Sequence, residues 1–576
     1  MFRRSLFYPF AGLVLSAVTL LLMLFSTTIL AHDGDDKSVI YLNQNWTEQE
    51  RNQFYYTPQG SRLIPYSWYL ALEQPDNRRL FNDAKHIERM RYISADEYGD
   101  NYKGYNPDGL PVGFAKEPVE NAEPWLGYSC AACHTGQLRY KGKTIRIEGG
   151  PTLSDFSLFN ERLVQAMEAT LQNDKKFKRF ARRVLNSSDP VSEGDLYEAV
   201  SDQAAVLHKT LLRSIPDYEY GFGRVDALGI ILNEVFGDDL QQPDNVLPPN
   251  APVSYPHLWD TPRLDWVQWN GSVNNPIGRN TGEVLGTFGH VQLTGPVKNL
   301  GTTTARAREL LELERLITTL TAPQWPEDIL GDIDHDRAER GRVLYSQYRN
   351  GEPSCETCHA LPDASGQYPL TPAEENLFGM QFIETTMTGL NELGTDPVAA
   401  LSFATRVAYT GELAPYLPAP YTGASQLPAP ILLSITVGMA VQNSISRADP
   451  PLTAAESAEI IGYRLKAAGL PPYTPPNILA YKARHLNGIW ATAPFLHNGS
   501  VPSLYELLLP AEQRSQSFYV GSWRFDPEEV GYRSHASKRA FLFDVTLPGN
   551  SNAGHEYGTD LSEEERWDLV EFLKTL

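Results

Sequence analysis

Four cysteines, at positions 130, 133, 355 and 358, constrain this chain more than any other feature. They form two Cys-x-x-Cys pairs, and each pair runs straight into a histidine: Cys130-Ala-Ala-Cys133-His134 and Cys355-Glu-Thr-Cys358-His359. Four are too few to staple 576 residues, so a disulfide scaffold is excluded. A redox-active dithiol would open a helix in a βαβ setting, and neither pair has that context. One four-cysteine zinc site would have to join two distant pairs and would leave both histidines unexplained. Cys-x-x-Cys-His is the attachment signature of c-type haem. The two-residue spacer presents both sulfurs to one edge of the ring, and the next residue brings its imidazole under the iron. With 12 histidines in 576 residues, two such coincidences by chance are negligible. The sequence therefore predicts two covalently bound haem c groups, one on Cys130, Cys133 and His134, the other on Cys355, Cys358 and His359.

The N-terminus sets the compartment. Arg3 and Arg4 precede an apolar stretch from Phe7 to Ala31, and Asp33, Asp35 and Asp36 follow. Positive start, apolar run, then acid is the pattern of an export signal, with a cleavage site after Ala31. The run is also long enough to remain as a membrane anchor. Both readings of residues 1–31 put the rest of the chain across the membrane: periplasmic or secreted, and tethered to the inner membrane in the second reading. No later segment is expected to span. The net charge of -21 argues against nucleic acid or an anionic membrane surface as the main partner.

A chain this long should hold two or more folded units. Helical periodicity is read over Leu153–Leu171, Asp195–Ile215, Arg224–Phe236, Thr303–Leu320, Asp334–Tyr348 and Glu456–Ala467. Ser562 followed by Glu565 is a capping box that opens a terminal helix. Lys143–Glu148 is a strand candidate, and Gln241–Pro256 and Pro415–Pro430 read as ordered loops. Before the second motif lies a helix with Ala338, Gly341, Leu344 and Tyr345 on one face. Before the first, Pro111, Pro118 and Pro124 forbid one. The expected fold is mainly α: two cytochrome c-like haem domains, 32–325 and 326–576, with long ordered loops and little β. The boundary is placed in Thr321–Asp334.

The segment Lys482-Ala-Arg-His-Leu-Asn-Gly-Ile-Trp-Ala-Thr-Ala-Pro-Phe-Leu-His-Asn-Gly-Ser500 resembles the conserved block of di-haem bacterial cytochrome c peroxidases and their relatives. The closer likeness is to the di-haem rubber oxygenases. It is carried by Tyr140–Phe156, by Ala251–Gly286 with Tyr-Pro-His-Leu-Trp-Asp and Val-Gln-Trp-Asn-Gly, and by Asn552-Ala-Gly-His-Glu-Tyr-Gly558. The methionine that ligates the electron-transfer haem of the peroxidases is missing, because all seven methionines precede His497. The resemblance instead implies His555 as the sixth ligand of the second haem, with His535 as the lesser candidate. The first haem, on His134, is then the reactive one; His208, His257 and His290 are the alternative distal ligands, each more ordinarily a packed or surface histidine.

Trp259, Trp266 and Trp269 read by themselves as core packing. The resemblance places a tryptophan between the haems as a relay, and Trp259 is its first candidate. Arg279 and Asn280 are candidates to orient haem propionates. His497 with Asn498-Gly499 reads as a turn, not an iron ligand. The expected activity is that of an oxidoreductase using O2 or H2O2 at the first haem, peroxidase- or oxygenase-like, with a small cytochrome or cupredoxin as redox partner. The alternatives are an electron-transfer cytochrome without substrate chemistry, a cytochrome c peroxidase proper, and an oxidase acting on a protein through surface tryptophan. Related peroxidases hold calcium between their domains; no local motif for it is present here.

Overall fold

The computed structural model describes residues 39–95, 105–185, 190–375, 379–462 and 479–576. The segment 1–31, read as signal or anchor, lies outside them, as does the end of the Glu456–Ala467 helix.

The chain around the first motif is made of strands. Strand β1 (Val39–Tyr41) lies parallel to β6 (Lys143–Glu148), which pairs antiparallel with β5 (Thr135–Tyr140). A second sheet has the order β2 (Ile64–Pro65), β4 (Trp125–Tyr128), β3 (Phe114–Glu117). Strand β4 runs into the first cysteine pair and β5 leaves from its histidine. Cys130–Ala132 forms a single 3-10 turn between the two sheets. The corner is tight: a Cβ on Gly113 would lie 2.0 Å from the Ala132 nitrogen.

The second motif sits in a helical frame. The His335–Ser346 helix is capped by Asp334, and the Glu563–Thr575 helix by the Ser562–Glu565 box. The two cross where Gly341 faces Asp568 and Phe572. Arg340 clamps the Asp568 carboxylate with two bonds of 2.7 and 2.8 Å. Cys355–Cys358 is one further helical turn, and the Tyr345 hydroxyl donates to the His359 carbonyl at 2.5 Å.

The fold is mixed α/β, about 41% helix and 14% strand in several small sheets, and this corrects the mainly α expectation. The strands are two to six residues long, and β1 and β6 are partners far apart in sequence. The strand candidate Lys143–Glu148 is β6; most of the other runs are too short to carry a readable two-residue alternation, and a non-local pairing leaves no local signal. Arg224–Phe236 is likewise not one helix. Arg224–Val225 is a strand, Ala227–Leu232 a helix, and Asn233–Asp239 a π-helical continuation.

The three largest apolar clusters among the described residues fill most of the interior. One gathers the helices Phe156–Leu171, Asp174–Val184 and Pro190–Arg213. Another surrounds the Ala429–Ser446 helix. That helix is long and apolar enough to cross a bilayer, with a mean hydropathy of 1.3, but half of it is buried inside the protein. It packs on the helices Pro276–Gly286 and Ala307–Thr318 as a core element. The third cluster joins Trp46, Ile145 and Trp259 to Trp490, Phe525 and Phe572, and it runs beneath both motifs.

Candidate haem sites

Both motifs line one cavity. Its volume is about 250 Å³, with Cys130 and His134 on its wall together with Cys355, Cys358, His359 and His555. Leu258, Ile317, Leu486 and Leu573 make much of the wall apolar. A smaller chamber of about 120 Å³ adjoins the first motif and adds Cys133, Phe156, Ile230 and Val284.

All four cysteines are free thiols. Burial pushes Cys130 and Cys133 up to about 12, with Glu283 adding to the shift, and Cys355 up to about 11. Thiols held this far from ionisation are unsuited to thiol–disulfide exchange. The geometry thus argues against the dithiol alternative.

The two motif histidines are held in the same way. His134 Nδ1 donates to the Pro256 carbonyl at 2.8 Å, and His359 Nδ1 donates to the Arg484 carbonyl at 2.6 Å. Each bond fixes the tautomer that leaves Nε2 with its lone pair, the form that binds a metal. Burial depresses the pKa of both imidazoles, His134 down to about 4, so both stay neutral.

The sites differ on the opposite side. The rings of His359 and His555 lie 6.3 Å apart, centre to centre. Two imidazoles on one metal, each bonded at about 2 Å, stand about 6 Å apart. His555 is held in a left-handed conformation, φ 50°, in a loop gripped by Arg514, which bonds the carbonyls of Asn552, Gly554 and His555. Its Nδ1 is buried without a partner, and burial, followed by the nearby His359, drives its pKa down to about 3. His134 has a phenol ring beside it, Tyr255 at 6.3 Å, on the same segment whose Pro256 carbonyl holds its Nδ1. Unpaired buried groups and a hollow between the motifs are what a chain built around a bound group leaves behind. The residues fit haem at both positions.

The remaining candidates separate by place. His208 is exposed and pairs with Glu168; His290 pairs with Asp239 at the surface; His535 is on an exposed loop. None lines the cavity, whereas His257 does, stacked on Trp259 at 4.3 Å. Trp259 is fully buried behind that ring and donates to the Asn487 carbonyl at 2.8 Å. The tryptophan on the cavity wall is Trp269. Arg279 pairs with Glu314, which also accepts from Asn280 at 2.8 Å, and the arginine and asparagine line the cavity near the first motif. His497 is buried against Tyr481 and lines the cavity too. Among the described residues no cluster of three or more His, Cys, Asp or Glu could hold a metal ion by itself.

Sequence reasoning missed Pro256, Arg484 and Tyr255. The first two act through main-chain carbonyls, which leave no trace in residue type.

The RoxA-like, cytochrome c-like family matches residues 480–519, the stretch that holds Arg484 and His497. With the two motifs on one cavity, this defines a relative of the RoxA-like c-type cytochromes, and the group such proteins carry is haem c. The chain is 33% identical to the uncharacterized protein y4iJ of Sinorhizobium fredii over the full length of both, and it belongs to that family. A second protein of that organism, the uncharacterized y4iM, is 25% identical over 57% of this chain and 66% of its own.

Proposed function

We propose that this chain is an exported di-haem c-type cytochrome that works as an oxidoreductase, using O2 or H2O2 at the first site and passing electrons through the second. The carrying observation is the asymmetry of two otherwise matched sites. His359 faces His555 at 6.3 Å, whereas among the described residues no histidine ring stands that close to His134. Haem bound there would supply one-electron chemistry and, at an open axial face, binding of a small oxidant.

The chain's own groups set the division of labour. Cys130, Cys133 and His134 would hold the first group, and Cys355, Cys358 and His359 the second, with His555 as its further ligand. The largely apolar chamber beside His134 has room for O2 or a small apolar molecule. Burial keeps the Tyr255 phenol protonated, a hydrogen-bond donor beside the first site. Trp269, on the wall of both the cavity and the chamber, and Trp259, behind His257, are the aromatic groups nearest a relay position. A small cytochrome or cupredoxin in the periplasm is the electron source in this reading. The likeness to rubber oxygenases and the missing methionine ligand favour oxygenase-like over peroxidase chemistry.

Optical spectra test the reading. Expected is one low-spin haem and one five-coordinate haem that takes up CO. Two low-spin haems indifferent to CO would leave only electron transfer. Turnover of H2O2 with a reduced donor, assayed beside O2-dependent cleavage of a polyisoprenoid, then separates the two chemistries.

A further inference from the structure

The two motif histidines are joined through a single side chain. His359 donates to the carbonyl of Arg484 at 2.6 Å. The guanidinium of that residue reaches across and donates from Nη1 to the His257 carbonyl at 3.0 Å and from Nη2 to the Trp259 carbonyl at 2.5 Å. The residue before His257 is Pro256, whose carbonyl accepts from His134 at 2.8 Å. From one imidazole to the other the path is therefore one hydrogen bond, one arginine, a second hydrogen bond, one peptide link and a third hydrogen bond. Arg484 lines the same cavity as both histidines, and its Nε is buried with no hydrogen-bond partner.

Resting on the reading that both sites hold haem, we propose that Arg484 is a positioning residue that couples the two sites, setting the orientation and basicity of both iron-binding histidines and the charge both sites feel.

Three physical points carry it. The partner of Nδ1 tunes a metal-bound imidazole, and both partners here are carbonyls whose places depend on Arg484. A planar guanidinium meets the two carbonyls from two separate nitrogens held in a rigid fork, a geometry that the single nitrogen of a lysine on its flexible stem does not reproduce. The charge is kept, because an arginine guanidinium stays protonated at neutral pH. A buried cation beside two redox sites favours the reduced form of each, because the low local dielectric leaves it weakly screened. Asp260, the nearest counter-charge, is itself engaged by His485 at 3.2 Å and Asn487 at 2.6 Å.

The experiment uses the full-length, haem-loaded protein. A pyridine haemochrome count of wild type comes first; fewer than two haems per chain sinks the functional reading itself. With two haems present, spectroelectrochemical titration of Arg484→Gln should move both reduction equilibria toward the oxidised form by about tenfold or more, which is about 59 mV for one electron. Arg484→Lys should recover most of that shift, since the charge returns, yet still alter the iron–imidazole stretch of the first site in resonance Raman spectra, since the fork does not. A change confined to the second haem, or none at either, in variants that keep both haems overturns the proposal. If Arg484→Gln fails to assemble, the Raman signature of Arg484→Lys decides: an unaltered first-site stretch overturns it equally.

Discussion

His555 shows how much one side chain can decide. Its loop is held by three bonds from Arg514, its amide donates to the Leu393 carbonyl at 2.9 Å, and its imidazole is kept neutral by burial. Everything about its setting delivers a ring to a fixed point opposite His359. His555→Ala should convert the low-spin haem to high spin without lowering the haem count. His555→Met should restore low spin at a higher potential, as methionine ligation does in cytochromes c. A low-spin signal unchanged in the alanine variant would refute this ligand. Glu117 makes a second residue-sized argument. It is buried in β3, where it accepts from the Gly60 amide at 2.9 Å and from Arg306 at 3.4 Å. Burial raises its pKa to about 7 in spite of Arg306 and the amide bond. The folded chain then keeps this proton to about pH 7, the unfolded chain only to about 4.5. Between those values the native state binds more protons, so stability falls as pH rises through the window, by about 1–3 kcal/mol for this group. Guanidinium midpoints at pH 5 and pH 8 should show the fall in wild type and less of it in Glu117→Gln, which keeps the acceptor and loses the titration.

The crossing of the His335–Ser346 and Glu563–Thr575 helices is the element on which the second site rests. A Cβ at position 341 would stand 2.1 Å from the Asp568 carbonyl oxygen and 2.8 Å from the Phe572 Cβ. Gly341→Ala gains about 1 kcal/mol in helix propensity, but it must force apart two backbones, and overpacking costs about 1–3 kcal/mol. The net expectation is a lower guanidinium midpoint, with the second haem's spectrum perturbed before the first's; an unchanged midpoint would show that the helices can slide. These elements are also where the sequence was most legible. Ala338, Gly341 and Tyr345 on one face, and Ser562 with Glu565, are local patterns with local causes. The prolines before Ser129 likewise excluded a helix where β3 and β4 stand. The rest had no such signal. The Ala429–Ser446 helix is apolar on most sides and begins directly after Pro428, so it lacks the one-sided period that marks a surface helix. Strand β1 pairs with β6, more than a hundred residues on, and leaves no local signal. The cysteine motifs could be read because their chemistry is contiguous; His555 came from resemblance; and Arg484 could not be seen, because its role exists only once Pro256–Trp259 is folded against it.

The chain as one body bears on how its two sites communicate. Residues before and after the expected boundary share the cluster that holds Trp46, Ile147 and Trp259 with Trp490, Phe525 and Leu573. Bonds cross the same line: Trp490 Nε1 to the Pro323 carbonyl at 2.9 Å, Trp259 Nε1 to the Asn487 carbonyl at 2.8 Å, and Arg224 to Asn550 Oδ1 at 2.8 Å. The amide of Arg139, in β5 beyond the first motif, donates to the Trp523 carbonyl at 2.6 Å. Unfolding 326–576 alone would bare the apolar faces of Trp259 and Ile147 and strip His134 of the Arg484 fork behind Pro256. Such a half-folded state has neither a complete core nor a complete first site, so it should not accumulate. Calorimetry of the haem-loaded protein is therefore expected to show one transition, coincident with loss of the haem absorbance and of far-ultraviolet ellipticity, as a cooperative unit requires. Two separated transitions, with one haem spectrum surviving the first, would mean that 32–325 and 326–576 stand independently and that coupling between the sites has to arise from contacts weaker than a shared core.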